Sequence, residues 1–268
     1  MKKFLVAIDQ GTTSSRAILF SLSGKPIYTS QKEFTQYFPK DGWVEHNPNE
    51  IWNTTRKVLT DVIVKSKKLK GKILTISITN QRETTVLWDK SNGKPVYNAI
   101  VWQDRRTEDF CNELKKRNKE KKIRKKTCLF LDPYFSATKV RWIIKNVPKV
   151  KKLIKEKKLL FGTIDTFLIW KLTKGKKHLT EATNASRTML FNINNNKWDK
   201  EILRKLNIPK NIKIGVMINA SDYIVQSKYI DKLNLKKNFL NKKCIYFVRI
   251  AFHLKEIKYA LKINSILK

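Results

Sequence analysis

The opening twenty residues constrain what this chain can fold into more than any other stretch. Residues 4–9 form an apolar run ending in a carboxylate, Gly11-Thr12-Thr13-Ser14-Ser15 is a turn of small hydroxyl-bearing residues, and 16–22 resume an alternating strand pattern. The sequence predicts two strands joined by a loop the size of a phosphate group. Glycine lacks a Cβ, so the backbone at Gly11 can turn sharply and come close to a ligand. Successive N–H groups in such a turn can form an anion-binding concavity, and the hydroxyls of Thr12, Thr13 and Ser14 add donors. Arg16 is placed to pair with phosphate oxygens. Asp9, at the strand end, is placed to hold a hydrated Mg²⁺, an ion that takes one or two carboxylates plus phosphates and keeps its waters. The spacing is neither G-x-x-x-x-G-K-[ST] nor G-x-G-x-x-G. An ordinary hairpin with a polar turn is the alternative for this stretch alone.

The 268 residues can bury a substantial core, and 41% apolar content fits a folded chain rather than a disordered one. Net charge is +36. The excess is almost all Lys, spread along the chain and thickest on expected helix surfaces, with no zinc-finger, RNA-recognition or basic-zipper spacing. Weak, salt-sensitive attraction to polyanions is therefore expected, without a specific nucleic-acid partner. Asp9 interrupts the only apolar run near the start, and no run of about 18 apolar residues suggests a membrane span, so the reading places the chain in the cytoplasm. Cys111, Cys128 and Cys244 lack C-x-x-C spacing, which argues against a disulfide framework or zinc site.

Along the chain, 16–22 and 26–34 complete an antiparallel meander with the first strand. Asn47-Pro48-Asn49-Glu50 predicts a capping-box start for a helix through about Ser66, with Ile51, Trp52, Thr55, Val58, Leu59 and Val62 on its buried side. Strands are expected at 72–79, 84–89 and 97–102, with Asn80-Gln81-Arg82-Glu83 as a charged junction between apolar runs. Helices are expected at 104–120, 138–145, 149–158 and 199–206, and another from about 161 to Leu172 capped by Thr163. Lys115 to Lys126 reads as a solvated face and loop, 183–187 as a polar loop and 188–193 as a strand. This pattern argues for an α/β or α+β core with helices packed on a mixed sheet.

Five segments in order, Asp9-Gln10-Gly11-Thr12-Thr13-Ser14-Ser15-Arg16, Gly42-Trp43-Val44-Glu45-His46, Ile78-Thr79-Asn80-Gln81-Arg82-Glu83-Thr84-Thr85, Val101-Trp102-Gln103-Asp104-Arg105-Arg106 and Asp132-Pro133-Tyr134-Phe135-Ser136, closely resemble the glycerol kinase branch of the FGGY carbohydrate kinases. The run from Tyr134 to Trp142 is similar to that superfamily's first signature, and Thr183 to Met189 to a later stretch. The resemblance implies an actin-like, ribonuclease-H-like ATPase domain with a mixed sheet and flanking helices. It also implies an ATP:glycerol phosphotransferase that makes sn-glycerol 3-phosphate and ADP with Mg²⁺. On the same ground, nucleotide phosphates are assigned to Thr12, Thr13, Ser14 and Arg16, the metal to Asp9, and glycerol to Arg82, Glu83, Trp102 and Tyr134.

The resemblance runs to about residue 210, giving an expected kinase N-terminal domain at 1–210 and a diverged or frame-shifted Lys-rich tail at 211–268. In glycerol kinases the carboxylate that accepts the proton of the attacking hydroxyl lies in a G-x-x-G-D-Q-Q segment. Nothing in this sequence reads G-D-Q, and neither Asp222 nor Asp231 has the glycine context. No catalytic base is therefore assigned, and the second family domain is expected to be missing. Two readings follow: a glycerol kinase in shortened form, whether homo-oligomeric or completed by a second-domain chain, and a non-catalytic remnant of a first domain.

Overall fold

A computed structural model describes residues 1–209 and 212–217. The chain opens with the expected meander. Strands β1 (Lys2–Gln10), β2 (Ser14–Ser21) and β3 (Pro26–Glu33) pair antiparallel, with Val6 opposite Leu19 and Arg16 opposite both Asp9 and Gln31. Alternation turns Phe4, Val6 and Ile8 inward. The two-residue β4 (Glu45–His46) then leads into α1 (Pro48–Lys68). Asn47 caps α1 by accepting the Asn49 N–H at 2.9 Å. Glu50 does not complete a capping box. Its carboxylate accepts the Thr35 N–H at 3.0 Å and the Tyr37 hydroxyl at 2.8 Å, which tie the incoming loop to the helix instead. Ile51, Val58, Leu59 and Val62 press onto the sheet. Helix α1 carries the chain to β5 (Gly71–Asn80), which runs parallel to β1 and completes the order β3-β2-β1-β5.

Strand β6 (Val86–Asp89) and the short β7 (Ala99–Ile100), which pairs with β4, precede four helices: α2 (Glu108–Lys116), α3 (Glu120–Thr127), α4 (Ser136–Asn146) and α5 (Pro148–Lys155). Strand β8 (Leu159–Gly162) then enters antiparallel to β6, and α6 (Ile164–Leu172) follows it. The remaining pieces are β9 (Leu179–Thr180), α7 (Ala182–Ala185), β10 (Phe191–Asn192), β11 (Lys197–Trp198), α8 (Lys200–Lys205), β12 (Lys213–Ile214) and β13 (Val216–Met217). Among the described residues β12, β8 and β6 form a second sheet.

That second sheet is the wall between two cores. Val86, Trp88 and Leu160 join the cluster of the first sheet, α1 and α6, while Leu87, Leu159 and Phe161 face the cluster built from α2 to α5 and α8. A strand buried on both faces carries no alternation, and this is why 161–162 read as the start of a helix. The helix expected at 104–120 begins at Glu108 and breaks before α3, which lies inside the lysine-rich run expected to be partly loop. Thr163 makes no capping bond; its hydroxyl donates to Asp165. The expected polar loop at 183–187 is partly helical, with Glu181 capping α7. The expected strand at 188–193 shrinks to β10. Of the expected tail, Ile212 is buried in the second core. The same stretch supplies β12 and β13, which pair parallel with β8 and β9, while Asp222, Asp231, Cys244 and the other residues from 218 on lie outside the described residues.

Candidate active site

The turn after β5 is built under strain. Thr84 donates its N–H to the Arg82 carbonyl at 2.7 Å, closing a three-residue turn with Glu83 at its centre at φ 64°. A γ-turn with positive central φ is uncommon, and a bulky residue there costs about 1–3 kcal/mol. The surroundings hold it in place: Ser136 Oγ donates to the Glu83 carbonyl at 2.8 Å, and Arg187 Nε donates to Glu83 Oε1 at 2.5 Å. The turn sets the Glu83 carboxylate, 4% exposed, against a guanidinium.

Arg82, Glu83, Trp102 and Tyr134 line one cavity of about 370 Å³, together with Arg187. The four residues assigned to the polyol come from three separate segments and are brought together. The Trp102 and Tyr134 rings meet at 5.5 Å with 58° between their planes. The Arg187 guanidinium lies 5.6 Å from the Tyr134 ring and 5.0 Å from Phe135. Burial works against the Arg187 charge, but the hydrogen bond and charge of Glu83 together with Tyr134 outweigh it and raise its pKa. Arg82 is exposed, leaving its donors available. Two arginines, one carboxylate and two aromatic faces can bind hydroxyls while covering a carbon skeleton. Arg187 was not singled out from the sequence, although its segment carried family resemblance; nothing in local spacing shows that a loop 104 residues away reaches Glu83.

The first loop reaches the same cavity through one bond. Trp102 Nε1 donates to Thr12 Oγ1 at 3.0 Å. Thr13 is exposed, whereas Ser14 is buried and its hydroxyl accepts from Gln31 at 3.1 Å. Ser14 is thus the least available of the assigned phosphate contacts. Arg16 Nε donates to Gln31 at 2.9 Å, and Arg16 lies 3.9 Å from Asp9 across the strand pair. Gly11 does not need left-handed backbone: an added Cβ would meet only the Ser14 carbonyl at 3.4 Å, an ordinary contact. The Gly11 N–H is also occupied, donating to that carbonyl at 2.9 Å.

A ring of buried and half-buried amides holds this loop from behind. Gln36 donates to the Thr12 carbonyl at 3.0 Å and Gln81 to the Gly11 carbonyl at 3.0 Å, which fixes the orientation of both side chains. Gln36 Oε1 then faces His46 Nε2 at 2.6 Å, and Gln81 Nε2 faces His46 Nδ1 at 3.2 Å. The consistent tautomer carries its proton on Nε2. Burial holds the imidazole down to about 4, against the raising influence of the Glu50 charge.

The charged residues Glu45, Asp104 and Arg106 of two resembling segments form a structural network. Arg106, with a fully buried side chain, pairs with Asp104 at 2.7 Å and Glu45 at 2.8 Å and lies 3.8 Å from the Trp43 ring. Glu45 also accepts from Tyr97 and Asn98, and Asp104 from the Val44 N–H. This network clamps 42–46 to 97–106 and so positions Trp102.

Among the described residues no group of three or more acidic, His or Cys side chains could enclose a metal. Asp9, partly exposed and only loosely paired with Arg16, fits a hydrated Mg²⁺ held through a single carboxylate.

Over residues 4–232 the chain matches the profile of the FGGY family of carbohydrate kinases, N-terminal domain. It is 53% identical over 229 residues to a glycerol kinase of Lactobacillus acidophilus, covering 85% of this chain and 46% of that protein. It is 58% identical over 230 residues to a glycerol kinase of Caldanaerobacter subterraneus, covering 86% and 46%. Among solved structures, Plasmodium falciparum glycerol kinase with ADP superposes with TM-score 0.74 at 33% identity, covering 85% of this chain and 51% of that one. Gluconate kinase from Lactobacillus acidophilus, at 23% identity and TM-score 0.73 over 82% of this chain and 43% of that one, shares the fold. The chain spans less than half the length of the curated relatives it matches.

Proposed function

This chain belongs to the FGGY family of carbohydrate kinases, and from that premise we propose that it carries the polyol cavity and first phosphate loop of a glycerol kinase. The reaction it serves is transfer of the γ-phosphoryl group of ATP to glycerol, giving ADP and sn-glycerol 3-phosphate. One observation carries this reading: Arg82, Glu83, Trp102 and Tyr134 line a single cavity, and Trp102 is bonded to Thr12 of the first loop.

In this reading Glu83 accepts from a glycerol hydroxyl, Arg82 donates to one, and the Trp102 and Tyr134 rings cover the carbon chain and exclude water. Thr12, Thr13 and Arg16 donate to phosphate oxygens, and Ser14, whose oxygen accepts from Gln31, keeps its own O–H to donate from a more buried position. Asp9 would hold Mg²⁺, which would supply positive charge to the nucleotide phosphates. Phosphoryl transfer also needs a carboxylate to orient the attacking hydroxyl. Among the described residues the cavity lining offers only Glu83, committed to Arg187. Binding without turnover is therefore the expected behaviour of residues 1–268 by themselves, in line with the remnant reading.

The test is isothermal titration of glycerol into the purified chain, with a glycerol-dependent ADP-release assay on the same sample. The expected result is saturable glycerol binding that weakens about tenfold to a hundredfold in Glu83→Gln, as loss of a charged hydrogen bond of about 1.5–3 kcal/mol requires, with ADP release at background. No binding, or binding unchanged in Glu83→Gln, would refute the site; turnover lost in Asp9→Ala would refute the binding-only expectation.

A further inference from the structure

Lys139, on the first turn of α4, is fully buried. Its Nζ donates to the Tyr134 carbonyl at 2.8 Å and lies 3.5 Å from the Trp102 carbonyl. Both aromatic walls of the cavity therefore hang by their backbones from one side chain. The groups that face the ammonium are Asp104 after β7, Glu83 in the turn after β5, Asp132 before α4 and the Cys111 thiol of α2. Each carboxylate already has an arginine: Asp104 has Arg106 at 2.7 Å, Glu83 has Arg187 at 2.5 Å, and Asp132 has Arg105 at 2.9 Å. Burial pushes the Cys111 thiol up to about 11, so it remains neutral near pH 7. The hydrogen bonds of Lys139 thus go to carbonyl oxygens, not to an ion-pair partner.

Packing alone does not call for this residue. A buried ammonium without its own carboxylate is costly, and a methionine of similar length would fill the space without that cost. What the ammonium supplies is a charge-assisted donor to carbonyls, roughly twice as strong as a neutral one. We propose that Lys139 is a positioning residue for the cavity, its ammonium holding the Trp102 and Tyr134 carbonyls and so setting the aromatic walls that receive the polyol. The last clause rests on the proposed function; the clamp itself does not.

Burial drives the Lys139 pKa down to about 7, against the raising influence of the surrounding Asp104, Glu83 and Asp132. The clamp is accordingly strong below that pH and weaker above it. The Cys111 thiol, pushed up to about 11 by burial, stays neutral just above and below pH 7.

The test follows the Trp102 indole N–H in the ¹⁵N-labelled full chain, without polyol, from pH 6 to 9. Its signal is assigned by its loss in Trp102→Phe. The wild-type signal is expected to shift with a midpoint near 7. In Lys139→Met it should sit near the high-pH position throughout, and in Lys139→Arg near the low-pH position throughout. A wild-type signal that does not move, or one that titrates equally in Lys139→Met, overturns the proposal. The wild-type profile decides the matter even if a variant fails to fold. Glycerol added at both ends of the range should bind severalfold more tightly at pH 6 than at pH 9 in the wild type and equally at both in Lys139→Arg. Absence of glycerol binding at both pH values overturns the polyol reading, while the indole signal still decides the clamp.

Discussion

Below pH 6.5 the unfolded chain binds a proton at His46 that the folded chain refuses. Burial holds the folded imidazole down to about 4 from its ordinary 6.5. The unfolded state therefore carries more protons in that window, and the stability from this group is complete above pH 6.5 and lost as pH falls toward 4. The loss amounts to about 3 kcal/mol at roughly 1.36 kcal/mol per pH unit. Urea unfolding at pH 7 and pH 4 should show this drop in the wild type and a drop smaller by that amount in His46→Gln; equal drops would contradict the amide ring around His46. Glu83 and Arg187 make the complementary point about legibility. A charged residue between apolar strands was visible in the sequence, but the positive φ that aims Glu83 and the guanidinium that meets it come from distant segments, Ser136 and Arg187. Local pattern carries no record of such closures.

Among the elements, α8 shows how much one side chain can bind together. Asp199 accepts from the N–H groups of Glu201 and Ile202, pairs with Lys126 of α3 at 3.0 Å and accepts from Asn192 of β10 at 2.9 Å. Asp199→Ala should cost about 1–2 kcal/mol from the lost cap alone, whereas Asp199→Asn should retain most of the cap and lose the ion pair. Thermal unfolding of the two variants checks the order, and equal losses would mean the cap contributes nothing. The elements legible in the sequence were those with a period and a start signal: the β1–β3 meander from its alternation and α1 from Asn47-Pro48 and its apolar stripe. Those misread lacked one. Residues 159–162 are buried on both faces and show no alternation, and α3 buries only Ile123 and Thr127 beneath a surface of lysines. The charges in the resembling segments around Trp43 and Asp104 had no assigned role in the sequence. Glu45, Arg106 and Asp104 form a buried network and do not line the cavity. A buried ion pair of this kind is weak evidence of added stability, but removal of one partner strands a charge.

At the scale of the molecule, the net charge of +36 comes mainly from lysines spread along the whole sequence, so its effect is a diffuse field. The chain should stay on heparin at low ionic strength and elute well before molar salt, with no preference among duplex sequences of equal length. A sequence-dependent affinity that survives physiological salt would contradict that description. The field surrounds two cores separated by the β6–β8 wall, and the turn after β5, the segment after β7 and the start of α4 meet beside it to make the cavity. The central claim is that this cavity receives glycerol beside the phosphate loop. A crystal of the chain soaked with glycerol and ADP tests it most directly, provided glycerol is absent from the growth and cryoprotection solutions. Density for glycerol against Trp102 and Tyr134, with hydroxyls on Arg82 and Glu83 and the ADP phosphates at Thr12 and Thr13, is the predicted result. A cavity holding only water while ADP binds elsewhere on the chain would contradict it.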